Sequence, residues 1–355
     1  MELKSVDLYK PRSIFAESRE ELEDNLSAAT NFEHFRVAGE ELQLTDGGTM
    51  VVRGEEKQLT EEAIKNLCKE LHIPDPFAKR IPLHTLQYNI QQLSQGRQFE
   101  VFTSNTNNHW VNFIDRDKLL PIEIPTILEA ITEQDTFGFK RAEINEAGVA
   151  LFYEAPDMIK PVRVNDLVSF GWQLRLSESG FGIPSGSIYA LRLVCTNGAI
   201  APRRYGSFRF PKRGEIETRT QVFLQDIVNS HSRLEKFVDA YKQVASGEGG
   251  SLPGNRDFNR IWNAVKKTLG DPETADIVLG IDKDTRTTIK SKVRDERDLF
   301  SDDEDDTPVV PTTWYDLMNK VTEAPQTLKL TGRAHQKMQA LGGKMIDFAI
   351  RQNQS

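Results

Sequence analysis

The apolar residues of this sequence change their spacing near residue 215, and that change constrains the fold more than any other feature. Between residues 137 and 210, short apolar runs alternate with turns that contain Gly and Pro, which is typical of β-strands. After residue 220, apolar side chains such as Val222, Phe223 and Ile227 recur at helical spacing. The sequence therefore predicts an α+β fold, with a largely antiparallel β body, N-terminal helices and a helical C-terminal part.

Local signals place several elements more closely. Thr60 is predicted to cap a helix that ends before Pro74, and a second helix is predicted from Pro82 to Gly96. Residues 99–114 have the pattern of a hairpin, because two apolar runs flank a polar stretch. Further helices are predicted around residues 124–131, 220–245, 256–269, 312–322 and 335–351, and short strands or irregular structure are predicted for residues 1–58.

The same signals divide the chain into three predicted parts. They are an N-terminal segment 1–59, an α+β body 60–215 and a helical C-terminal region 216–355. An acidic linker is predicted at 298–311, because every residue from 302 to 306 is acidic and such runs are usually solvated. Mimicry of nucleic-acid phosphates and docking of a partner are the alternative roles of this run.

Composition limits the class of protein. Apolar residues make up 38% of the chain and charged residues 28%, which is ordinary for a globular protein. The net charge of −8 argues against bulk affinity for nucleic acid but allows a local basic patch. The two cysteines, Cys68 and Cys195, cannot form a four-thiolate metal site. With no signal-peptide pattern and no long apolar run, the sequence predicts a cytoplasmic protein with free thiols, no membrane association and no metal or other cofactor.

Several short motifs occur together between residues 60 and 345. Arg192-Leu193-Val194-Cys195-Thr196-Asn197-Gly198 is a strand followed by a Cys-Thr-Asn-Gly turn, and Ser177-Glu178-Ser179-Gly180 precedes it. Leu71-His72-Ile73-Pro74, Arg80-Ile81-Pro82 and Asn89-Ile90 lie upstream, and the helix 314–323 ends in Val-Thr-Glu. Together they resemble the phage- and plasmid-associated family called domain of unknown function 932, although its Arg-Ala-x-x-Ser strand is missing near residues 111–116. The resemblance implies a mobile-element origin and no established activity.

The strongest functional signal is the basic stripe, which we define as residues 203–213. It holds five basic side chains and no acidic one, and aromatic residues are interleaved with them. Guanidinium groups pair with phosphates and aromatic rings stack on unpaired bases, so the stripe predicts contact with nucleic acid. The predicted contacts are Arg203, Arg204, Tyr205, Phe208, Arg209, Lys212 and Arg213. The alternative is a hairpin whose aromatic rings pack in the core while its arginines face solvent, since alternate strand residues share a face.

Other patterns suggest chemistry, but each has a simpler structural explanation. Cys195 would need a histidine base to act as a nucleophile, and free cysteines are more often buried and inert. Asp115 and Asp117 suggest a metal nuclease, yet such sites need carboxylates that converge from separate elements. The glycine-rich segment 180–186 lacks the Gly-Lys-Ser/Thr ending of a phosphate loop and is predicted to be a turn. His109 is an isolated histidine without metal-site spacing.

The sequence favours a non-catalytic nucleic-acid-binding protein of a phage or plasmid, acting in DNA replication, recombination or maintenance. Single-stranded or duplex DNA is the expected partner, and self-association stays open. The alternative is a host-directed protein that binds a host partner and neutralises a defence system. A metal-dependent nuclease ranks third.

Overall fold

A computed structural model describes most of the chain. It covers residues 8–9, 13–120, 122–132, 138–163, 166–192, 198–202, 205–246, 253–295, 313–330 and 332–354. Its strands are β1 (Ile14–Ala16), β2 (Phe32–Ala38), β3 (Leu42–Leu44), β4 (Met50–Val52), β5 (Glu55–Lys57), β6 (Gln98–Ser104), β7 (Trp110–Asp115), β8 (Gly138–Asn145), β9 (Gly148–Arg163), β10 (Asp166–Leu176), β11 (Ser185–Arg192), β12 (Gly198–Ile200) and β13 (Ser207–Arg209). Its helices are α1 (Arg19–Asn25), α2 (Ser27–Thr30), α3 (Glu61–Glu70), α4 (Asp75–Ala78), α5 (Leu83–Ser94), α6 (Ile124–Thr132), α7 (Ile216–Val228), α8 (His231–Ser246), α9 (Asn255–Leu269), α10 (Pro272–Leu279), α11 (Lys283–Asp295), α12 (Trp314–Thr327) and α13 (Gly332–Gln354).

The largest sheet is antiparallel and has seven strands. Their order is β1-β8-β9-β10-β11-β12, and β13 also pairs with β11. In β10, Phe170, Trp172 and Leu174 are buried in the main core, and the residues between them face the other side, because successive strand residues alternate. Gln173 and Arg175 therefore lie on the opposite face, which we call the polar face, although Ala150, Phe152, Tyr189 and Leu191 form a small apolar cluster on it. The structure confirms the α+β fold with a largely antiparallel body.

Helices α7 and α8 cover the apolar face of this sheet. The ring of Phe170 makes edge contacts with Phe237 and Tyr241 of α8, at centroid distances of 6.1 and 5.4 Å. The indole Nε1 of Trp172 donates a hydrogen bond of 3.0 Å to the Ser230 hydroxyl, which satisfies the polar edge of a buried ring. Apolar residues of α9, α10, α12 and α13 extend the same core. The C-terminal helices and the large sheet therefore fold around one core.

Residues 32–118 build a second unit with its own hydrophobic core. One three-stranded sheet has the order β2-β6-β7, another has the order β3-β4-β5, and α3 and α5 contribute apolar residues between them. Trp110 lies at the centre, and its Nε1 donates to the Met50 carbonyl at 2.7 Å. The Thr60 hydroxyl accepts a 2.9 Å hydrogen bond from the amide of Ala63. The structure therefore confirms the predicted cap at the start of α3.

The predicted parts of the chain share strands and cores. β2 pairs with β6 along its whole length, and β1 pairs with β8. The proposed boundary after residue 59 therefore falls inside a packed unit, because strand pairing over long sequence distances leaves no local signal. The boundary after residue 215 coincides with the change from β13 to α7, but these elements share the main core. The acidic linker 298–311 lies outside the described residues.

Most of the predicted elements are present. The hairpin predicted over 99–114 is β6–β7, and the predicted helices correspond to α3, α5, α6, α7, α8, α9, α12 and α13. Helices α1, α2, α4, α10 and α11 were not predicted. Among the helices described here, none combines the length and apolar character needed to cross a membrane.

Candidate functional site

A large cleft separates the second unit from the polar face of the main sheet. One wall comes from α3 and α4, the floor comes from β8, β9 and β10, and the end of α9 and the start of α13 close the remaining side. Its volume is about 1410 Å³. Pockets for small molecules usually measure about 300–1,000 Å³, so this cleft has room for an extended ligand.

The lining of the cleft is basic although the protein is acidic. Seven lysines and arginines and four carboxylates line it, a formal charge of +3, whereas the whole chain carries −8. Some of the cations are neutralised, since Lys65 lies 2.5 Å from the Glu61 carboxylate. Four others are exposed and make no ion pair with any described carboxylate; they are Lys69, Arg80, Lys267 and Lys337. These residues come from α3, α9, α13 and the turn after α4, so they surround the cleft.

A row of paired residues, the cross-strand row, runs along the floor of the cleft and beyond it. It consists of Glu143, Ala150, Arg175, Ser185 and Arg209, each paired with the next across β8, β9, β10, β11 and β13. Directly paired residues of antiparallel strands point to the same face. The first four line the cleft, so Arg209 extends its basic surface by one strand.

The structure therefore divides the basic stripe of residues 203–213. Arg209, Lys212 and Arg213 are exposed, and strand pairing connects Arg209 to the cleft. Arg203 and Arg204 lie outside the described residues. Tyr205 and Phe208 are buried, with 9% and 4% of their surfaces exposed.

The buried rings require a correction of the predicted interface. Phe208 faces the core because it alternates with Arg209 along β13, and the ring of Tyr205 lies 5.2 Å from that of Phe237. A buried ring has no free face on which a base can stack. The stacking role predicted for Tyr205 and Phe208 is therefore wrong, and the packing alternative holds for both rings.

The floor of the cleft carries a cluster of charged groups around the buried Glu143 that the sequence did not indicate. The Glu143 carboxylate accepts a 3.1 Å hydrogen bond from the Ser13 hydroxyl, and its other oxygen lies 4.0 Å from Nδ1 of His335. Burial lowers the pKa of His335; Glu143 opposes this shift, and the charges of Arg141 and Arg175 add to it. Burial also lowers the pKa of Arg175, to about 10, against the opposing effect of Glu143. Ser13, Glu143 and His335 are more than a hundred positions apart in the sequence, so no motif links them.

His109 has a partner that sequence inspection missed. Its Nε2 lies 2.6 Å from the Glu146 carboxylate, and its ring stacks on Tyr9 at 3.9 Å. His109 precedes β7 and Glu146 lies in the turn between β8 and β9, so the pair connects the second unit to the main sheet. Both residues are buried, which makes this contact structural in character.

The aspartates predicted as a weak nuclease candidate form a local cap. Burial alone would raise the pKa of Asp115, but hydrogen bonds from Arg97 and the Asp117 amide, with the charge of Lys118, bring it below its ordinary value. The Arg97 bond is 2.5 Å long. Within the described residues, no group of three or more His, Cys, Asp or Glu side chains could hold a metal ion.

The cysteines and the glycine-rich segment 180–186 have structural explanations wherever they lie within the described residues. Cys68 is a free, buried thiol, and burial, with the charge of Asp75, raises its pKa to about 12. A thiol with so high a pKa is a poor nucleophile. Cys195 lies outside the described residues. Residues 180–186 include the turn from β10 to β11, as predicted, and Gly180 has a φ of +77° that only glycine adopts readily.

No family model, curated protein or solved structure matches this chain. The resemblance to the family of domain of unknown function 932 therefore stays a prediction.

Proposed function

We propose that this protein binds single-stranded nucleic acid along the basic cleft and performs no catalysis there. The observation that carries the proposal is the cross-strand row, which joins Arg175 at the floor of the cleft to Arg209 of the basic stripe. Exposed lysines from α9 and α13 stand above the same floor. Basic grooves that follow a phosphate backbone are a common feature of proteins that bind single strands.

The overall acidity of the protein is compatible with this role. Electrostatic attraction of a ligand depends on the electric field inside the cleft, and the low-dielectric walls strengthen the field of the lining charges there. The acidic surface elsewhere repels nucleic acid and favours binding at one place. A duplex carries its phosphates on a wide, rigid cylinder, whereas a flexible single strand can reach the floor of a cleft.

The chemistry of the lining predicts binding with little sequence preference. Lysine and arginine contacts to phosphate position a strand but carry no information about its bases. The family resemblance supports a role in the replication, recombination or maintenance of a mobile element.

The test is a binding titration with fluorescently labelled single-stranded DNA, duplex DNA and single-stranded RNA at several salt concentrations. We expect salt-sensitive binding to single strands and weaker binding to duplex DNA. In the double variant Lys267→Ala/Lys337→Ala, the slope of log affinity against log salt should fall by about 1.4 if each lysine neutralises one phosphate of a single strand.

The matched control is Lys236→Ala/Lys283→Ala, which removes the same charge from exposed sites outside the cleft lining. Equal losses in the two double variants would show that the cleft is not the binding site. If the parent protein binds none of the three nucleic acids and instead co-purifies with a host protein, the host-directed alternative takes the place of this proposal.

A further inference from the structure

Arg175 carries a charge at the floor of the cleft that makes no ion pair with any described carboxylate, although Glu143 acts on it at longer range. Its side chain is partly buried on the polar face of β10, and a guanidinium group stays protonated in proteins. Among the described residues its only hydrogen bond runs from Nη2 to the amide oxygen of Gln173, at 3.4 Å. Buried charges are normally paired, because leaving one without a partner is energetically unfavourable.

The nearest acidic group in the row has other partners. Glu143 and Arg175 are separated by Ala150 of β9, so their backbones lie two strands, or about 10 Å, apart. The Glu143 carboxylate accepts a hydrogen bond from Ser13 and lies near His335. No described carboxylate lies within 4.0 Å of Arg175. Apart from the long hydrogen bond to Gln173, its donors therefore make no hydrogen bond to the described residues and are available to a ligand.

The surroundings of Arg175 suit an anion. It pairs across the strands with Ser185, which also lines the cleft, and Arg209 follows Ser185 in the row. A hydroxyl and a second guanidinium are donors of the kind that bind phosphate oxygens. Arg175 can thus receive an oxyanion from the open side of the cleft.

We propose that Arg175 is an anion-binding residue that receives one phosphoryl group of the ligand, with Ser185 and Arg209 as the adjacent contacts. This inference rests on the proposed function for its setting and adds the subsite to it. The phosphoryl group belongs either to the backbone of a nucleic-acid strand or to a free mononucleotide or inorganic phosphate. The chemistry at Arg175 is the same in each case.

The main test is the variant Arg175→Met, which keeps the length of the side chain and removes its charge. We expect the unliganded variant to melt at the same temperature as the parent or at a higher one, because Arg175 is partly buried and makes no ion pair with a described carboxylate that methionine would break. We also expect its affinity for labelled single-stranded DNA to fall by about 10- to 100-fold, the loss of one charge-assisted hydrogen-bonding group. Arg116→Met removes the same charge from an exposed site outside the cleft and should keep parental affinity.

A second set of titrations distinguishes the source of the phosphoryl group. The parent and Arg175→Met are heated with inorganic phosphate, with adenosine monophosphate and with an unlabelled single strand. If phosphate or the nucleotide raises the melting temperature of the parent but not that of the variant, the subsite exists. If the strand fails to bind in the same experiment, the proposed function is wrong and the subsite still stands. If the strand stabilises both proteins equally, the proposed function stands and the subsite is refuted.

Two results would overturn the role of Arg175 directly. One is a large fall in the melting temperature of unliganded Arg175→Met together with parental affinity for all three probes, since that identifies a purely structural arginine. The other is unchanged affinity in Arg175→Lys, the variant to be tested if Arg175→Met does not fold. Lysine keeps the charge but lacks the planar fork of donors, so unchanged affinity in this variant contradicts phosphate binding by the guanidinium.

Discussion

Phe208 and Arg209 are adjacent in the chain, yet one is buried and the other is exposed. The pairing of β13 with β11 fixes this division, because it places Phe208 opposite Gly186 on the core side and Arg209 opposite Ser185 on the polar side. Residue types in the basic stripe indicated nucleic acid, but exposure decides which of them are available to it. The arginine contributes to the candidate interface, and the aromatic ring stabilises the fold.

Phe208→Ala is expected to lower the free energy of unfolding by about 3–5 kcal/mol, because it leaves a cavity in the main core. Urea denaturation followed by circular dichroism measures this change. Arg209→Ala is the neighbouring control and should change stability by less than about 0.5 kcal/mol while weakening nucleic-acid binding. If Phe208→Ala were as stable as the parent but defective in binding, the ring would have to be assigned to the interface after all.

The partly buried His335, which lies beside Glu143 of the cleft floor, predicts a dependence of stability on pH. Burial holds the pKa of His335 below its ordinary value, and Arg141 and Arg175 act in the same direction, against Glu143. The unfolded chain, with a histidine pKa of about 6.5, therefore binds more protons than the folded protein as the pH falls. The contribution of His335 to stability is complete above that value and is lost as the pH falls below it, towards the folded pKa.

His335→Gln should therefore reduce the loss of thermal stability on acidification. The measurement is the melting temperature of parent and variant between about pH 7.5 and about pH 5.5, the range in which histidine titrates. The parent is expected to lose more stability than the variant over this interval. An identical decrease in the two proteins would mean that His335 does not titrate differently on folding.

At the scale of single elements, local sequence signals predicted helices better than strand partners. Thr60 lies directly before two acidic residues, and this arrangement specified the start of α3. A similar signal at Ser18, whose hydroxyl accepts from the Glu21 amide, was present in the sequence and could have identified α1. Strand pairing has no comparable marker, because its hydrogen bonds connect distant residues.

Thr60→Ala is expected to destabilise the protein by about 1 kcal/mol, since it removes the hydrogen bond to the Ala63 amide. The same hydroxyl donates to the Val111 carbonyl at 3.3 Å, which joins the cap to β7. Thr60→Ser keeps the hydroxyl and is the matched control for thermal or urea denaturation. Equal stability of the alanine and serine variants would show that the cap contributes nothing measurable.

Gly171 tests the packing of the central strands. A Cβ atom there would lie 2.0 Å from the Tyr153 carbonyl oxygen, at a point where the pairing of β9 and β10 shifts. Gly171→Ala is therefore expected to destabilise the protein by about 1–3 kcal/mol through overpacking. Gly47→Ala, where the nearest atom would lie 3.7 Å away, is the control for urea denaturation. Comparable stability of both variants would contradict the close approach of these strands.

At the scale of the whole molecule, two hydrophobic cores lie on either side of the cleft. The buried pair of His109 and Glu146 connects them at 2.6 Å. A ligand in the cleft would contact both units at once. The contact between His109 and Glu146 therefore helps to fix the shape of the binding surface.

Glu146→Ala is expected to lower the free energy of unfolding by about 1–3 kcal/mol, because it leaves the buried ring of His109 without its partner. Glu146→Gln retains an acceptor of the same size and should be less destabilising. Urea denaturation monitored by both circular dichroism and tryptophan fluorescence measures the change and reports whether the two cores still unfold together. Parental stability of the alanine variant would show that the two units are held together elsewhere.

The sequence by itself determined the class of the fold and the position of most helices. Periodicity and capping are local properties, so the change near residue 215, the cap at Thr60 and the hairpin over 99–114 could all be predicted from neighbouring residues. The sequence also located Arg209 as a candidate contact. The position and lining of the cleft are properties of the tertiary structure alone, since the cleft brings together residues from five separate elements: Lys69, Glu143, Arg175, Lys267 and Lys337. Strand register and helix packing set those distances, and both depend on contacts between residues far apart in the chain.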